Sequence, residues 1–233
     1  MPKDLIYILK AEIETEELKY SLRSVEKNFP INRVWFVGGQ PKGFEPDVRL
    51  YHVQSGSNKW DMIRSSMWKA VNDERLSEDF FLFNDDFFIM KPVNTDSFIN
   101  FVDGTLERRI DELHSEVGMN AYTRTLFKLE QELKTLKEPT MNYDVHLPML
   151  LNKEQVKSTL FICSSPQMRS AIGNLNAIPF VIHPDVKVYD LESVPTDEIY
   201  LSTNDNTFRN GKVGEYIRNT FKKPSRFEVK HNA

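Results

Sequence analysis

The sequence predicts an α/β fold: a mostly parallel central sheet flanked by helices, with a helical hairpin inserted beside it. Three features carry this prediction. Short contiguous apolar runs recur through the first part of the chain, and such runs suit strands buried on both faces. Segments with apolar residues at helical spacing lie between several of them, as crossovers between parallel neighbours require. A charged, strongly periodic stretch at about 96–138 then breaks the pattern.

Taken in order, Asp4–Leu9 (DLIYIL) reads as a first buried strand. From Glu16 to Phe29, the residues Leu18, Leu22, Val25 and Phe29 share a helix face, and Pro30 stops the helix. Arg33–Val37 (RVWFV) is a second strand, followed by Gly38-Gly39 and a turn region containing Pro41, Gly43 and Pro46. Val48–Val53 is a third strand, and Ser55–Asn58 form a loop. Trp60, Ile63, Met67, Trp68 and Val71 place a helix over Lys59–Asn72. The run DFFLFNDDFFIM, Asp79 to Met90, supplies the next buried strand.

Between Asp96 and Glu138, narrow apolar stripes (Leu106, Ile110, Leu113; then Leu126, Leu129, Leu133, Leu136) predict the helical hairpin. A lid or acceptor-binding role and a merely solvated charged face are both open for it. Asp144, His146 and Pro148 stand close together before a helix beginning near Asn152. Gln167–Leu175, carrying Arg169, follows. Pro179–Tyr189 reads as a strand interrupted by Pro184, Glu198–Thr203 as a short strand ending in Asn204-Asp205-Asn206, and the tail as a helix ending before Pro224.

The formal net charge of −4 gives no general footprint for nucleic acid. Lys222, Lys223, Arg226 and Lys230 make the tail locally basic, which leaves a nucleic-acid acceptor open, although a solvated terminus is the simpler account. Cys163 is the only cysteine, so an internal disulfide and a cysteine-rich zinc site are excluded. No apolar run approaches the ~18 residues of a membrane span, and the start is too short in apolar residues for a signal peptide. The expectation is a soluble cytoplasmic protein. Nothing in the sequence sets its oligomeric state.

Asn84-Asp85-Asp86 stands where a buried strand would end. Adjacent carboxylates are costly there unless neutralised, and hard oxygen ligands suit Mg²⁺ or Mn²⁺. The other reading is a strand end at which both aspartates turn into solvent. In open α/β sheets ligands bind beyond the carboxyl ends of strands, which favours a functional site. Ser57, Asn58, Lys59 and Arg64 surround the loop-to-helix junction upstream, a natural phosphate site; a solvated helix face explains each singly. His52, His114 and His183 have no metal-ligand spacing. Arg23 is within reach of Glu26, three residues on.

Four motifs in this order resemble the Stealth family of sugar-phosphate transferases. Glu17-Leu18-Lys19-Tyr20-Ser21-Leu22-Arg23-Ser24-Val25-Glu26-Lys27 matches that family's E-L-x-Y-S-L-R-S-(I/V)-E-K block. Arg33-Val34, His52 and Phe83-Asn84-Asp85-Asp86-Phe87-Phe88 follow at suitable intervals. His146-Leu147-Pro148 with Arg169 resembles the third block, and Asn204-Asp205-Asn206 the fourth. The chain departs from the family in its first block, where Leu9-Lys10-Ala11-Glu12 replaces W-V-D-G-S-D.

The resemblance implies one GT-A-like (Rossmann-like) transferase domain over residues 1–233, acting on a nucleotide-diphosphate sugar with Mg²⁺ or Mn²⁺. It implies transfer of sugar-1-phosphate to a hydroxyl of a carbohydrate acceptor. A GT-A glycosyltransferase transferring the sugar itself, or a catalytically silent carbohydrate- or nucleotide-binding module, are the alternatives. Asp85 and Asp86 are the implied metal ligands, with Asn84 at the turn or on the sugar. His146 is the implied base, Arg169 stabilises phosphate, and Asp205 adds a metal or acceptor contact. A buried or capping histidine and a solvent salt bridge are the plainer readings of His146 and Arg169.

Overall fold

A computed structural model describes residues 3–10, 16–51 and 59–229. Its central sheet is formed by β1 (Asp4–Leu9), β2 (Val34–Gly38), β3 (Val48–Tyr51), β4 (Asp79–Phe83) and β7 (Met149–Asn152), in the order β3-β2-β1-β4-β7. The first four strands are parallel, and β7 runs antiparallel to β4. Helix α1 (Glu16–Asn28) connects β1 to β2, and α2 (Lys59–Val71) connects β3 to β4.

Alternate residues of each central strand enter different cores, because successive side chains point to opposite faces. Leu5, Tyr7, Phe36, Phe81 and Phe83 pack with Leu18, Leu22 and Val25 of α1. Ile6, Trp35, Val37, Phe80 and Leu82 pack with α2, with α5 (Lys153–Ile162) and with α6 (Met168–Leu175). Both faces are therefore covered, which is why these strands read as continuous apolar runs.

The run from Phe80 to Met90 is two strands, not one. After β4 the chain turns at Asn84–Asp86, and β5 (Phe87–Ile89) leaves the sheet to pair antiparallel with β9 (Tyr200–Ser202). No Gly or Pro marks this turn, so the apolar run conceals it. Strand β7, expected only as the approach to a helix, is buried at Met149 and Leu151. Its outer edge is closed by Asn100, whose amide donates to Leu150 O (3.0 Å) and accepts from Leu150 N (2.7 Å). Asn100 belongs to β6 (Asn100–Val102), which pairs in parallel with β8 (Phe180–Ile182).

The hairpin forms as expected, from α3 (Leu106–Val117) and α4 (Ala121–Leu136). Leu106, Ile110, Leu126, Leu129 and Leu133 seal it against Cys163 and Ala171. Asn204 is the N-cap of α7 (Asp205–Asn210): its side chain accepts from the backbone of Asn206 and Thr207, while Thr207 Oγ1 accepts from Asn204 N. Helix α8 (Lys212–Thr220) follows. No helix among the described residues is long and apolar enough to cross a membrane.

Arg23 does not pair with Glu26. Its guanidinium forms a two-pronged bond to Glu228, with both distances 2.7 Å, and donates to the carbonyl of Phe221. Glu26 instead accepts from the backbone of Arg226. The arginine of the sequence-matched helix thus ties α1 to the C-terminal segment.

Candidate functional site

The sheet order places a crevice between β1 and β4. From β1 the chain moves outward through β2 and β3, then returns on the opposite side as β4. Loops leaving the carboxyl ends of β1 and β4 therefore diverge, and ligands bind at such switch points in open α/β sheets. A cavity of about 390 Å³ opens there, with Leu9 at the end of β1 and Lys10 after it, Asn84 and Asp85 after β4, and Lys59, Met62 and Ile63 of α2 in its wall. Glu17 of α1 and Asp205, Phe208 and Arg209 of α7 complete the far side. A second cavity of about 500 Å³ shares Glu17, Asp85 and Asp205 with it and adds Asp86 and Lys187.

The Asn84–Asp86 turn is held from several directions. Phe83 and Phe87 flank it with ring centroids 6.1 Å apart, and Phe87 N donates to Asn84 O at 3.3 Å. Asp86 Oδ2 accepts from Lys187 Nζ at 2.9 Å, while Asp86 Oδ1 is buried with no hydrogen-bond partner among the described residues. Asp86 is therefore not simply a solvated strand end.

His146 meets Asp185, with Nδ1 and Oδ2 2.7 Å apart. Asp185 Oδ1 also accepts the backbone N–H of His146 at 3.2 Å. The carboxylate thus fixes the imidazole through Nδ1 and leaves Nε2 as the nitrogen not engaged by it, the arrangement that suits a base. Burial alone would raise the Asp185 carboxyl, but the hydrogen bond and charge of His146 outweigh it and hold it below the usual range.

Arg169 is buried rather than solvent-exposed. Its guanidinium donates to Leu147 O (2.7 Å) and to Leu82 O and Asn84 Oδ1 (both 3.4 Å), and lies 5.4 Å from the Phe87 ring centroid. It joins the end of β4 to the segment carrying His146. Burial pushes its pKa down to about 10, with Asp144 and Asp86 opposing, so it keeps its charge at neutral pH. With two of these three hydrogen bonds on backbone carbonyls, Arg169 is placed to position Asn84.

Among the predicted phosphate-binding residues, Lys59 lines the first cavity. Arg64 does not. It donates to Leu160 O of α5 and lines other cavities, in which Asp85 takes no part. One residue step turns a helix by about 100°, so Lys59, Met62 and Ile63 share a face that Arg64 leaves. Asn58, Ser57 and His52 lie outside the described residues. Asp205 reaches both cavities, while Asn204 serves its helix.

Four site residues escaped the sequence reading: Asp185, Lys187, Arg209 and Glu17. Asp185 and Lys187 flank Val186 after Pro184, and no local spacing marks them; their partners are 39 and 101 residues away. Glu17 sat inside the matched helix motif. It accepts from Thr203 Oγ1 at 2.6 Å. Its carboxyl is pushed up to about 7 by burial, with the Thr203 bond opposing and Asp86, Asp85 and Asp205 adding to the rise.

The raised folded value lies above the ordinary 4.5, so the stability tied to Glu17 is fully present below pH 4.5 and lost as pH rises through 7. In metal-free buffer, Glu17→Gln is therefore expected to stabilise the fold at pH 8, on the order of 2 kcal/mol, and to change little at pH 4. Urea unfolding at the two pH values checks this.

Among the described residues no group of three or more His, Cys, Asp or Glu side chains is arranged to hold a metal ion. The strand end nevertheless fits one: Asp86 presents a buried oxygen with no partner, beside Asp85. Mg²⁺ is commonly held by one or two carboxylates plus substrate phosphates rather than by an all-protein cage. The hairpin borders the His146 side. Tyr122 of α4 has its hydroxyl pKa raised by burial, with Asp144, Asp103 and Asp185 adding and Arg109 of α3 opposing.

Set beside known proteins, the chain matches no family model, and no curated protein matches it.

Proposed function

We propose that this protein is a metal-dependent transferase of nucleotide-diphosphate sugars that passes sugar-1-phosphate to a hydroxyl of a carbohydrate acceptor. One observation carries the reading: the Asp85–Asp86 turn at the switch-point cavity lies against Arg169 and Lys187, and these join it to the His146–Asp185 pair. The four-motif resemblance to the Stealth family supports the same reading, and a GT-A-like fold is part of the proposal.

The first cavity combines an apolar wall (Leu9, Met62, Ile63, Phe208) with Lys10, Lys59 and Arg209. That pairing suits a ligand with a flat apolar portion and an anionic portion. Asp85 and Asp86 would hold the Mg²⁺ or Mn²⁺, which when bound neutralises the diphosphate and the departing phosphate. The acceptor hydroxyl approaches on the His146 side, along the hairpin. Its oxygen attacks the β-phosphorus as its proton passes to His146 Nε2; the bond to the bridging oxygen breaks, and nucleoside monophosphate leaves. Asp185 stabilises the imidazolium formed, as a carboxylate on Nδ1 does. Arg169 holds Asn84 and the Leu147 carbonyl in register.

Released nucleotide tests this. A panel of nucleotide-diphosphate sugars with Mn²⁺ and mixed glycan acceptors is expected to yield nucleoside monophosphate, and Asp85→Asn to reduce the yield by about a hundredfold or more. Nucleoside diphosphate as the product would instead mean glycosyl transfer at the anomeric carbon. No product from any donor, with nucleotide binding intact, would make the protein a binding module.

A further inference from the structure

Lys187 stands where the carboxylates of the second cavity meet the His146–Asp185 pair. Its ammonium donates to Asp86 Oδ2 at 2.9 Å, and both side chains are 15% exposed. Among the described residues lining that cavity it is the only lysine or arginine, set against Glu17, Asp85, Asp86 and Asp205. Its backbone N–H donates to Asp185 Oδ1 at 3.3 Å, the oxygen that also accepts the N–H of His146. The stretch Asp185–Lys187 thus delivers a carboxylate to the imidazole and an ammonium to Asp86. Burial alone would depress the Lys187 pKa, yet Asp86 outweighs it and the net shift is upward.

This pairing satisfies only half of Asp86, because Oδ1 is buried and has no hydrogen-bond partner among the described residues. An ammonium 2.9 Å from one oxygen would repel a divalent ion arriving at the same carboxylate, and the repulsion is strong where water is largely excluded. A lysine is suited to yield, being a compact charge on a flexible four-carbon stem.

We propose that Lys187 is the resident counter-ion of Asp86, which a divalent cation must displace in order to bind that carboxylate. The inference rests on the donor-site reading above. Displaced from Asp86, the ammonium is free to meet the incoming diphosphate, so cation and nucleotide load together and each alone binds weakly. Lys187 is then a gate on cation binding rather than a further ligand.

The test is Mn²⁺ binding to nucleotide-free protein, followed by electron paramagnetic resonance of the free ion. Lys187→Met is expected to bind Mn²⁺ about tenfold or more tightly than wild type, and adding Asp86→Asn to abolish the gain. Lys187→Arg, which keeps the charge, is expected to bind no more tightly than wild type. Lys187→Gln is measured alongside, in case the methionine variant fails to fold by circular dichroism. Equal affinity in wild type and the neutral variants, or no Mn²⁺ binding by any of them, overturns the proposal. Transfer is assayed separately. Metal-dependent transfer without the affinity gain would remove the role of Lys187 and leave the transferase. The affinity gain in a protein that releases no nucleotide would do the reverse.

Discussion

His146→Ala is expected to lower kcat for transfer by about 10²- to 10⁴-fold, with little change in donor affinity. The imidazole is fixed through Nδ1 by Asp185 at 2.7 Å and stands beyond the donor cavity, reached from it through Asp86, Lys187 and Arg169. On the proposed mechanism its loss removes the proton acceptor and leaves the carboxylates of the first cavity untouched. Asp185→Asn should fall between wild type and His146→Ala. The amide still reaches the ring but no longer stabilises the imidazolium, and it can impose the other tautomer. A purely structural histidine would give a different pattern: a lower melting temperature in both variants, with kcat restored on cooling. Steady-state kinetics with donor and acceptor varied separately, beside a thermal melt, distinguish the two.

Glu228→Ala is expected to destabilise the fold by about 3–5 kcal/mol, a large share of the stability of a domain this size. The side chains of Arg23 and Glu228 are 7% and 15% exposed, joined by two bonds of 2.7 Å. Removing the carboxylate leaves a guanidinium buried against the Tyr20 ring and the Phe221 carbonyl, without its counter-charge. Replacing both partners by apolar residues is expected to cost less than the single change, because no buried charge is then left alone. The pH dependence has a definite sign. Burial would raise the Glu228 carboxyl, but Arg23 and the Ser225 N–H outweigh it and hold it below the ordinary 4.5. The stabilisation is therefore present above pH 4.5 and lost as pH falls through the depressed value. Urea unfolding of wild type and Glu228→Ala at pH 7 and pH 3 should show the difference shrinking in acid.

The parts of the fold that were legible are those whose cause is local. β1, β2 and β4 are covered on both faces, so burial is written as contiguous apolar residues. α1 and the hairpin carry their stripes at helical spacing and end at recognisable stops. What escaped was set by contacts far apart in sequence. The turn at Asn84–Asp86 is hidden because Phe87–Ile89 is as apolar as Phe80–Phe83, though it pairs with β9 in another sheet. β7 has four residues, too few for periodicity to separate it from the helix that follows.

The site divides in the same way. Asp85, Asp86 and His146 were singled out by residue type and motif order, and Lys59 by its place at a helix start. Arg64 falls outside the first cavity because a charge near a loop says nothing of helix phase; one step from Ile63 turned it toward Leu160. Asp185 and Lys187 were illegible because each acquires its meaning only when a partner arrives from a distant part of the chain.

The most direct measurement is a crystal of the protein grown with Mn²⁺ and a nucleoside diphosphate. Density for the nucleotide is expected in the cavity between β1 and β4, its phosphates toward Asp85, Lys59 and Arg209 and the metal on the Asp85–Asp86 turn. Nucleotide bound elsewhere, or a cavity left empty at saturating ligand, would contradict the assignment of this crevice as the donor site.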